Sequence, residues 1–218
     1  MAASKLSIYQ GAALACKERK VASLTETSEV RYKLDDVWDR RGINRCLQLG
    51  MWNFAKRGVA IEYEPSIDTS DLGGFRYAFE KPSDYVRTIS VCTDPWFRNP
   101  LTAYEDASGY WWADINPLYI QYVSNDNSYG LNFDLWPPNF EAMVELFFAK
   151  EVVGKLTTDD KLEDRVINKF EMALREAKNT DAMEQPAKFP PQTAWAGARG
   201  GGSNRGFKDR GNTGSLTG

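Results

Sequence analysis

The chain has 218 residues, 42% of them hydrophobic and 26% charged, with a formal net charge of −3. That is enough length to bury a core in one domain, two at most. There is no histidine, so the commonest general base and the commonest transition-metal ligand are missing, and most familiar hydrolytic chemistries are excluded. The slightly acidic balance leaves no overall basic footprint for neutralising phosphates.

The apolar runs, such as Val144 to Ala149, fall far short of the ~20 residues that a membrane span needs, so no membrane association is expected. The amino end shows no basic segment leading into an apolar one, which predicts a protein made without a leader and present in the cytoplasm at synthesis. Cys16, Cys46 and Cys92 are an odd number at wide intervals, a pattern of reduced core thiols rather than a disulfide framework.

A first helix is expected over 5–20, with Leu6, Tyr9, Ala13 and Cys16 on one face and Lys17, Arg19 and Lys20 complementing the dipole at its end. A second is expected over 28–50, after N-cap oxygens at Ser23, Thr25, Thr27 and Ser28. Its stripe Val30, Leu34, Val37 and Trp38 jumps at Gly42, because Ile43, Cys46 and Leu47 fall on the opposite side at 100° per residue. Either the helix breaks near Arg40-Arg41-Gly42, or one continuous helix buries its second half against a neighbouring subunit, which makes Ile43, Cys46 and Leu47 candidate interface residues.

The period then changes to two. Val59, Ile61 and Tyr63, and later Phe75, Tyr77 and Phe79, alternate with polar or small residues and predict half-buried strands joined by a loop rich in Ser, Asp and Gly. Pro82-Ser83-Asp84 is expected to open a short helical turn through Tyr85, Val86 and Ile89. Further strands are expected at 101–105, 110–113 and 118–123, the last two separated by the turn signal Asp114-Ile115-Asn116-Pro117.

Two strong helices follow, over 138–155 and 159–179. Phe140, Met143, Val144, Phe147, Phe148 and Val152 share one face of the first, with Gly154 a candidate C-cap. Leu162, Val166, Phe170, Ala173, Leu174 and Ala177 share one face of the second, and the short connection predicts an antiparallel hairpin. Beyond Thr180 the composition turns to Pro, Gly and Arg, which predicts an extended or flexible arm with no core of its own. The expected class is α+β: a helical bundle of about four helices with an inserted small antiparallel β-sheet and an extended carboxy-terminal tail. The expected division is a body over 1–181, containing a β-rich insertion over 55–135, and an arm over 182–218.

Three segments carry a resemblance: Gly50-Met51-Trp52-Asn53-Phe54 after the second helix, Pro82-Ser83-Asp84-Tyr85 after a strand, and Pro138-Asn139-Phe140-Glu141-Ala142 opening the third helix. In that order and spacing the chain, over about residues 6–180, resembles the tail tubular protein A family of head-to-tail adaptors from short-tailed bacteriophages. Where that family has an Ile-Gly-Glu-like turn after its first helix, this chain has Arg19-Lys20-Val21-Ala22-Ser23-Leu24. The resemblance implies a non-enzymatic virion component with no cofactor: a homo-oligomeric, dodecameric ring between the portal protein and a tail nozzle of the tail tubular protein B type. Double-stranded DNA would pass through its lumen without specific binding. It implies localisation in the virion tail at the portal vertex, and in the host cytoplasm during assembly.

Within that frame the arm, residues 190–218, is expected to reach the portal or a neighbouring subunit. Trp195 and Phe207 are its candidate apolar anchors, and Arg199, Arg205, Lys208 and Arg210 its candidate partners for acidic surface. Glu62, Glu64, Asp68 and Asp71 are candidate lumen carboxylates that would repel passing phosphates.

Four other patterns have simpler readings. Tyr104-Glu105-Asp106 and Tyr110-Trp111-Trp112-Ala113-Asp114 could suggest a two-acid sugar-cleaving groove, but a sheet packed on helices with aromatics at its core is the better account. Gly200-Gly201-Gly202-Ser203 lacks the Lys-Ser/Thr ending and the strand-to-helix setting of a phosphate loop. Asn125-Asp126-Asn127 lacks the distal Glu of a calcium loop. The Arg/Gly tail with Phe207 also fits a single-strand nucleic-acid-binding segment, which is the alternative function.

Overall fold

In the computed structural model, residues 3–67 and 74–184 are described. The class is α+β: five α-helices and two three-stranded antiparallel sheets.

Helix α1, Lys5–Ala15, opens on a reciprocal capping box between Ser4 and Ser7. It stops five residues before the expected end at Lys20. Lys17 takes φ 60°, and the amides of Lys17 and Glu18 close back on the carbonyls of Leu14 and Ala13. The basic run therefore lies past the helix and not in its last turn.

Helix α2, Glu29–Asp39, is capped by Ser28, which accepts from the Arg31 amide at 3.3 Å. Of the two readings of 28–50 the structure has the break and not the continuous helix: the stretch is two helices. Arg41 stands in the left-handed region at φ 60°, ψ 39°, and α3 is Gly42–Gln48. Only glycine fits at the restart: a Cβ on Gly42 would lie 2.7 Å from the Val37 carbonyl oxygen and 2.9 Å from the Phe148 ring. By turning there, the chain swings Ile43, Cys46 and Leu47 into the core that Leu34 and Val37 already occupy.

Helices α4, Pro138–Leu156, and α5, Asp160–Met183, form the expected hairpin. Proline occupies the first turn of α4, where a missing N–H costs nothing, and Asp159 caps α5 through the Lys161 amide. Gly154 lies inside α4 rather than ending it, and α5 runs past the expected 179.

The β residues form two sheets, not one. Strands β1, Lys56–Ile61, β3, Tyr85–Cys92, and β6, Leu118–Ser124, lie in the order β1-β6-β3. Strands β2, Tyr77–Glu80, β4, Tyr104–Ala107, and β5, Tyr110–Ala113, lie in the order β2-β5-β4. Leu118, Ile120 and Tyr122 on one face of β6 share a core with Phe79, Val91, Trp111 and Ala113, whereas Val123 on the other face joins the helical core. The first sheet is thus covered on both sides.

The helical turn expected from Pro82 is strand β3. Its pairing with β6 skips a register position between Tyr85 and Arg87 and again between Thr88 and Ser90. The skipped residues are Val86 and Ile89, which pack against the helical core. Two bulges three residues apart place their apolar side chains at a spacing that mimics a helix. Strand β4 likewise begins at Tyr104 and not at Leu101, which is held by its amide to the Val91 carbonyl at 2.8 Å.

Adjacent substitutions at the helix break should have opposite signs. Arg41→Gly removes a left-handed L-residue and should raise stability to chemical denaturation by about 1 kcal/mol. Gly42→Ala should lower it by about 2 kcal/mol, since the new methyl meets backbone that cannot swing away.

Candidate functional site

The three segments that carry the resemblance fall at junctions of the body. Trp52 is buried, and its indole N–H donates to the Cys46 carbonyl at 3.2 Å, closing the passage from α3 toward β1. Asn53, in the 3-10 turn Asn53–Ala55, takes the Asp181 carboxylate on its amide at 2.7 Å and donates its side chain to the Asp181 carbonyl at 2.7 Å. This ties the turn to the end of α5. Phe140, one turn into α4, meets the rings of Trp52, Phe54 and Trp136 edge-on, at centroid distances of 4.8, 4.7 and 4.9 Å.

Asp84, from the Pro-Ser-Asp segment, is the polar hub of the first sheet. It accepts from Ser124 at 2.5 Å, from Tyr122 at 3.0 Å and from Arg57 at 2.9 Å, while its own carbonyl takes the Asn125 amide. Burial by itself would raise this carboxyl. The hydrogen bonds from Ser124, Arg57 and Tyr122, with the Arg57 charge, outweigh that and hold it below the usual range. Asp35 is the counterpart in the helices: burial opposes its charge, but the Tyr9 hydroxyl at 2.7 Å and Lys5 at 3.0 Å, with Arg31, keep it ionised.

Glu145 is different. Its carboxyl lies against Gly11 of α1, so close that a Cβ there would be 2.1 Å away. Among the described residues its side chain has no hydrogen bond or ion pair. Desolvation, with the neighbouring Glu141 charge adding to it, pushes its pKa to about 7. It lines an open groove of about 390 Å³ between α1, α4 and α5, along with Lys17, Arg165 and Lys169.

The sequence-predicted residues are distributed as follows. Ile43, Cys46 and Leu47 are buried in the chain's own core, which accounts for their apolar face without a second subunit. Trp195, Arg199, Arg205, Phe207, Lys208 and Arg210 lie outside the described residues, as do Asp68 and Asp71. Glu62 accepts from Asn116 and Glu64 from Ser66.

Two of the three carboxylates of the sugar-groove pattern hold neighbouring segments. Asp106 pairs with Lys81 and accepts from Thr88, and Asp114 accepts the Arg76 amide. Asp126 accepts the Ser128 amide within a turn, and among the described residues no group of three acidic or thiol side chains is arranged to hold a metal. No helix among them is long and apolar enough to cross a membrane.

Periodicity did not flag the large apolar side chains left in solvent: Leu14 at 76% exposure, Trp96 at 72%, Met172 at 70% and Met183 at 83%. Trp96 stands on a braced loop, where the Asp94 carboxylate accepts the amides of Arg98 and Asn99 and Phe97 packs on Gly58 with φ 55°. Single exposed apolar residues are common on any surface and carry no argument one by one.

Asp84 and Glu145 should titrate stability in opposite senses. Asp84 has a lowered pKa when folded, so its contribution is full above the unfolded value of about 4 and is lost as pH falls through the folded one. Asp84→Asn should therefore cost about 2 kcal/mol at pH 7, with the difference from wild type shrinking in acid. Glu145 has a raised pKa, so stability falls as pH rises from about 4.5 to about 7. Glu145→Gln should remove that slope and exceed wild type above pH 7 by about 1 kcal/mol, after allowance for solvent screening. Denaturant titrations from about pH 2 to pH 8 separate the two, Asp84 acting below about pH 4 and Glu145 above it. No family model matches the chain, and no curated protein matches it in sequence.

Proposed function

We propose that the protein is a structural head-to-tail adaptor of a phage virion, a ring of identical subunits joining portal to tail nozzle with DNA passing through the lumen. The observation that carries this reading is the order of the three segments 50–54, 82–85 and 138–142. These belong to the resemblance, and they occupy the junctions from which the body is built: helix to sheet, the hub of the sheet, and the entry to the helix hairpin. A bundle of helices with an inserted β layer and a trailing arm is the architecture that this order implies.

Charge supports the same division. Residues 186–218 contain five Lys or Arg and one Asp, a formal +4, which leaves −7 on residues 1–185 out of −3 overall. An acidic body lets a phosphate backbone slide past, with Glu62 and Glu64 as candidate lumen groups. The basic arm is suited to acidic partner surface, with Arg199, Arg205, Lys208 and Arg210 pairing and Trp195 and Phe207 anchoring. The chain acts as a mechanical part and not as a catalyst.

Negative-stain images or mass photometry of the protein assembled with its portal should show a closed ring. Removal of residues 190–218 should abolish attachment while leaving the helical circular dichroism of the body intact. Normal attachment by the truncated protein would sink the role given to the arm. A salt-sensitive affinity for single-stranded DNA that disappears with the arm, in a protein that forms no ring, would favour the nucleic-acid-binding alternative instead.

A further inference from the structure

The groove between α1, α4 and α5 combines features that its own chain leaves unused. Leu14, among the most exposed large apolar side chains of the described residues, borders it together with Leu146 and Leu162. Lys17, Arg165 and Lys169 line it as well, and none of their side chains has an ion pair or hydrogen bond among the described residues. Glu145 adds carboxylate oxygens that accept from no donor there. Apolar wall, unpaired cations and an idle acceptor fit a group with an apolar body, an electron-rich face and one N–H. That group is an indole: the tryptophan ring is the best aromatic partner for cations, and its nitrogen only donates.

The surface of the same chain presents one. Trp96 stands in solvent, and its indole N–H has no acceptor among the described residues, whereas those of Trp52, Trp111, Trp112 and Trp136 all donate within the body. The loop beneath it is fixed. The Asp94 carboxylate accepts the Arg98 amide at 3.1 Å and the Asn99 amide at 2.7 Å, its carbonyl takes the Phe97 amide at 3.2 Å, and the Thr93 amide donates to the Asn99 carbonyl at 3.1 Å. Phe97 is held at φ 55°, a costly conformation for an aromatic residue that this bracing maintains. A loop so braced does not swing its tryptophan back onto its own body, and an outside surface can take the ring with little further ordering. Asp94 and Arg98 are the only charged residues of 93–99 and they cancel, so the cations of the groove would meet a ring and not an ion.

We propose that Trp96 of one copy seats in the α1–α4–α5 groove of a second copy, with its ring among Lys17, Arg165 and Lys169 and its N–H donating to Glu145. The groove, about 390 Å³, has room for the ring, which buries about 150–250 Å² in such a seat. That makes it the anchor of an interface and not the whole of one. Knob and groove are different patches, so the contact is heterologous: each copy gives its tryptophan to one neighbour and its groove to the other. The contact names the join between successive subunits of the proposed adaptor, and it rests on that reading only for the closing of the ring.

Sedimentation velocity of two full-length variants, apart and mixed, tests it. Trp96→Ala removes the knob and keeps the groove, while Leu14→Lys sets a fourth cation on the apolar wall and keeps the knob. Both side chains are exposed, so circular dichroism should show unchanged folds. At concentrations where the wild type self-associates, each variant alone should stay monomeric. Their equimolar mixture should form one-to-one pairs that grow no further, because each pair has used its one knob and its one groove. Glu145→Ala should weaken wild-type association about fivefold, and Glu145→Gln, which keeps an acceptor, should not. A wild type that stays monomeric up to about 1 mM, variants that associate as the wild type does, or a mixture that stays monomeric or grows past pairs overturns the proposal. A closed ring on the portal built from the Trp96→Ala chain removes this contact and leaves the adaptor reading standing; pairs from the mixture, with no wild-type ring on the portal, do the reverse.

Discussion

Phe140 packs edge-on against three aromatic rings at once, and the rings come from two separate pieces of chain. Trp52 caps and Phe54 lies within the 3-10 turn that converts α3 into β1, and Trp136 ends the loop that brings β6 round to α4. The indole N–H groups of Trp52 and Trp136 both donate to backbone, to the carbonyls of Cys46 and Gly130. Large aromatic surface is therefore buried with no donor left unpaired. Edge-on pairs contribute about 0.5–1.5 kcal/mol each beyond area burial. Three of them amount to a sizeable fraction of the ~5–15 kcal/mol by which a domain of this size is stable. Helices and sheets are joined through this cluster and cannot shift independently.

The sequence reveals this body unevenly, for reasons that differ by element. Helices α4 and α5 show through because a 3.6-residue period sustained over five turns has no rival interpretation. Strand β3 is disguised because its bulges expose Val86 and Ile89 to the helical core at a helix-like spacing. The α2–α3 break is half visible: the apolar face jumps at Gly42, but periodicity cannot say whether a turn or a neighbour covers it. The left-handed Arg41 decides for the turn. That two sheets form, in the orders β1-β6-β3 and β2-β5-β4, is a long-range choice that no local alternation encodes. Of the candidate binding residues, the basic and aromatic ones beyond residue 184 are legible only as composition.

Charge is spent differently in the two halves of the body. Asp35 and Asp84 are each surrounded by donors and hold their elements by charge-assisted hydrogen bonds. Partly buried carboxylates of this kind fix geometry because removing any one donor leaves a charge poorly solvated. Glu145 is held in an apolar groove with no partner, at a cost in stability when ionised. Gly11 makes the close approach possible, and any larger residue there would expel the carboxyl. The cations on the rim, Lys17, Arg165 and Lys169, surround the groove without neutralising it.

Trp52, Asp84 and Phe140, from the segments that define the resemblance, build junctions inside the body. A likeness at such positions constrains the scaffold, and what the scaffold binds has to be argued from its surface. There the apolar side chains left in solvent belong to separate elements: Leu14 near the end of α1, Trp96 on the braced loop after β3, and Met172 and Met183 on α5. A two-fold dimer needs one self-complementary patch, whereas a closed ring needs two different patches that fit each other head to tail. Leu14 and Trp96, exposed on different elements, would suit such a pair of patches. They come from opposite sides of the helix-to-sheet junction that Phe140 locks, so a rigid junction is what would keep the angle between successive subunits constant around a ring.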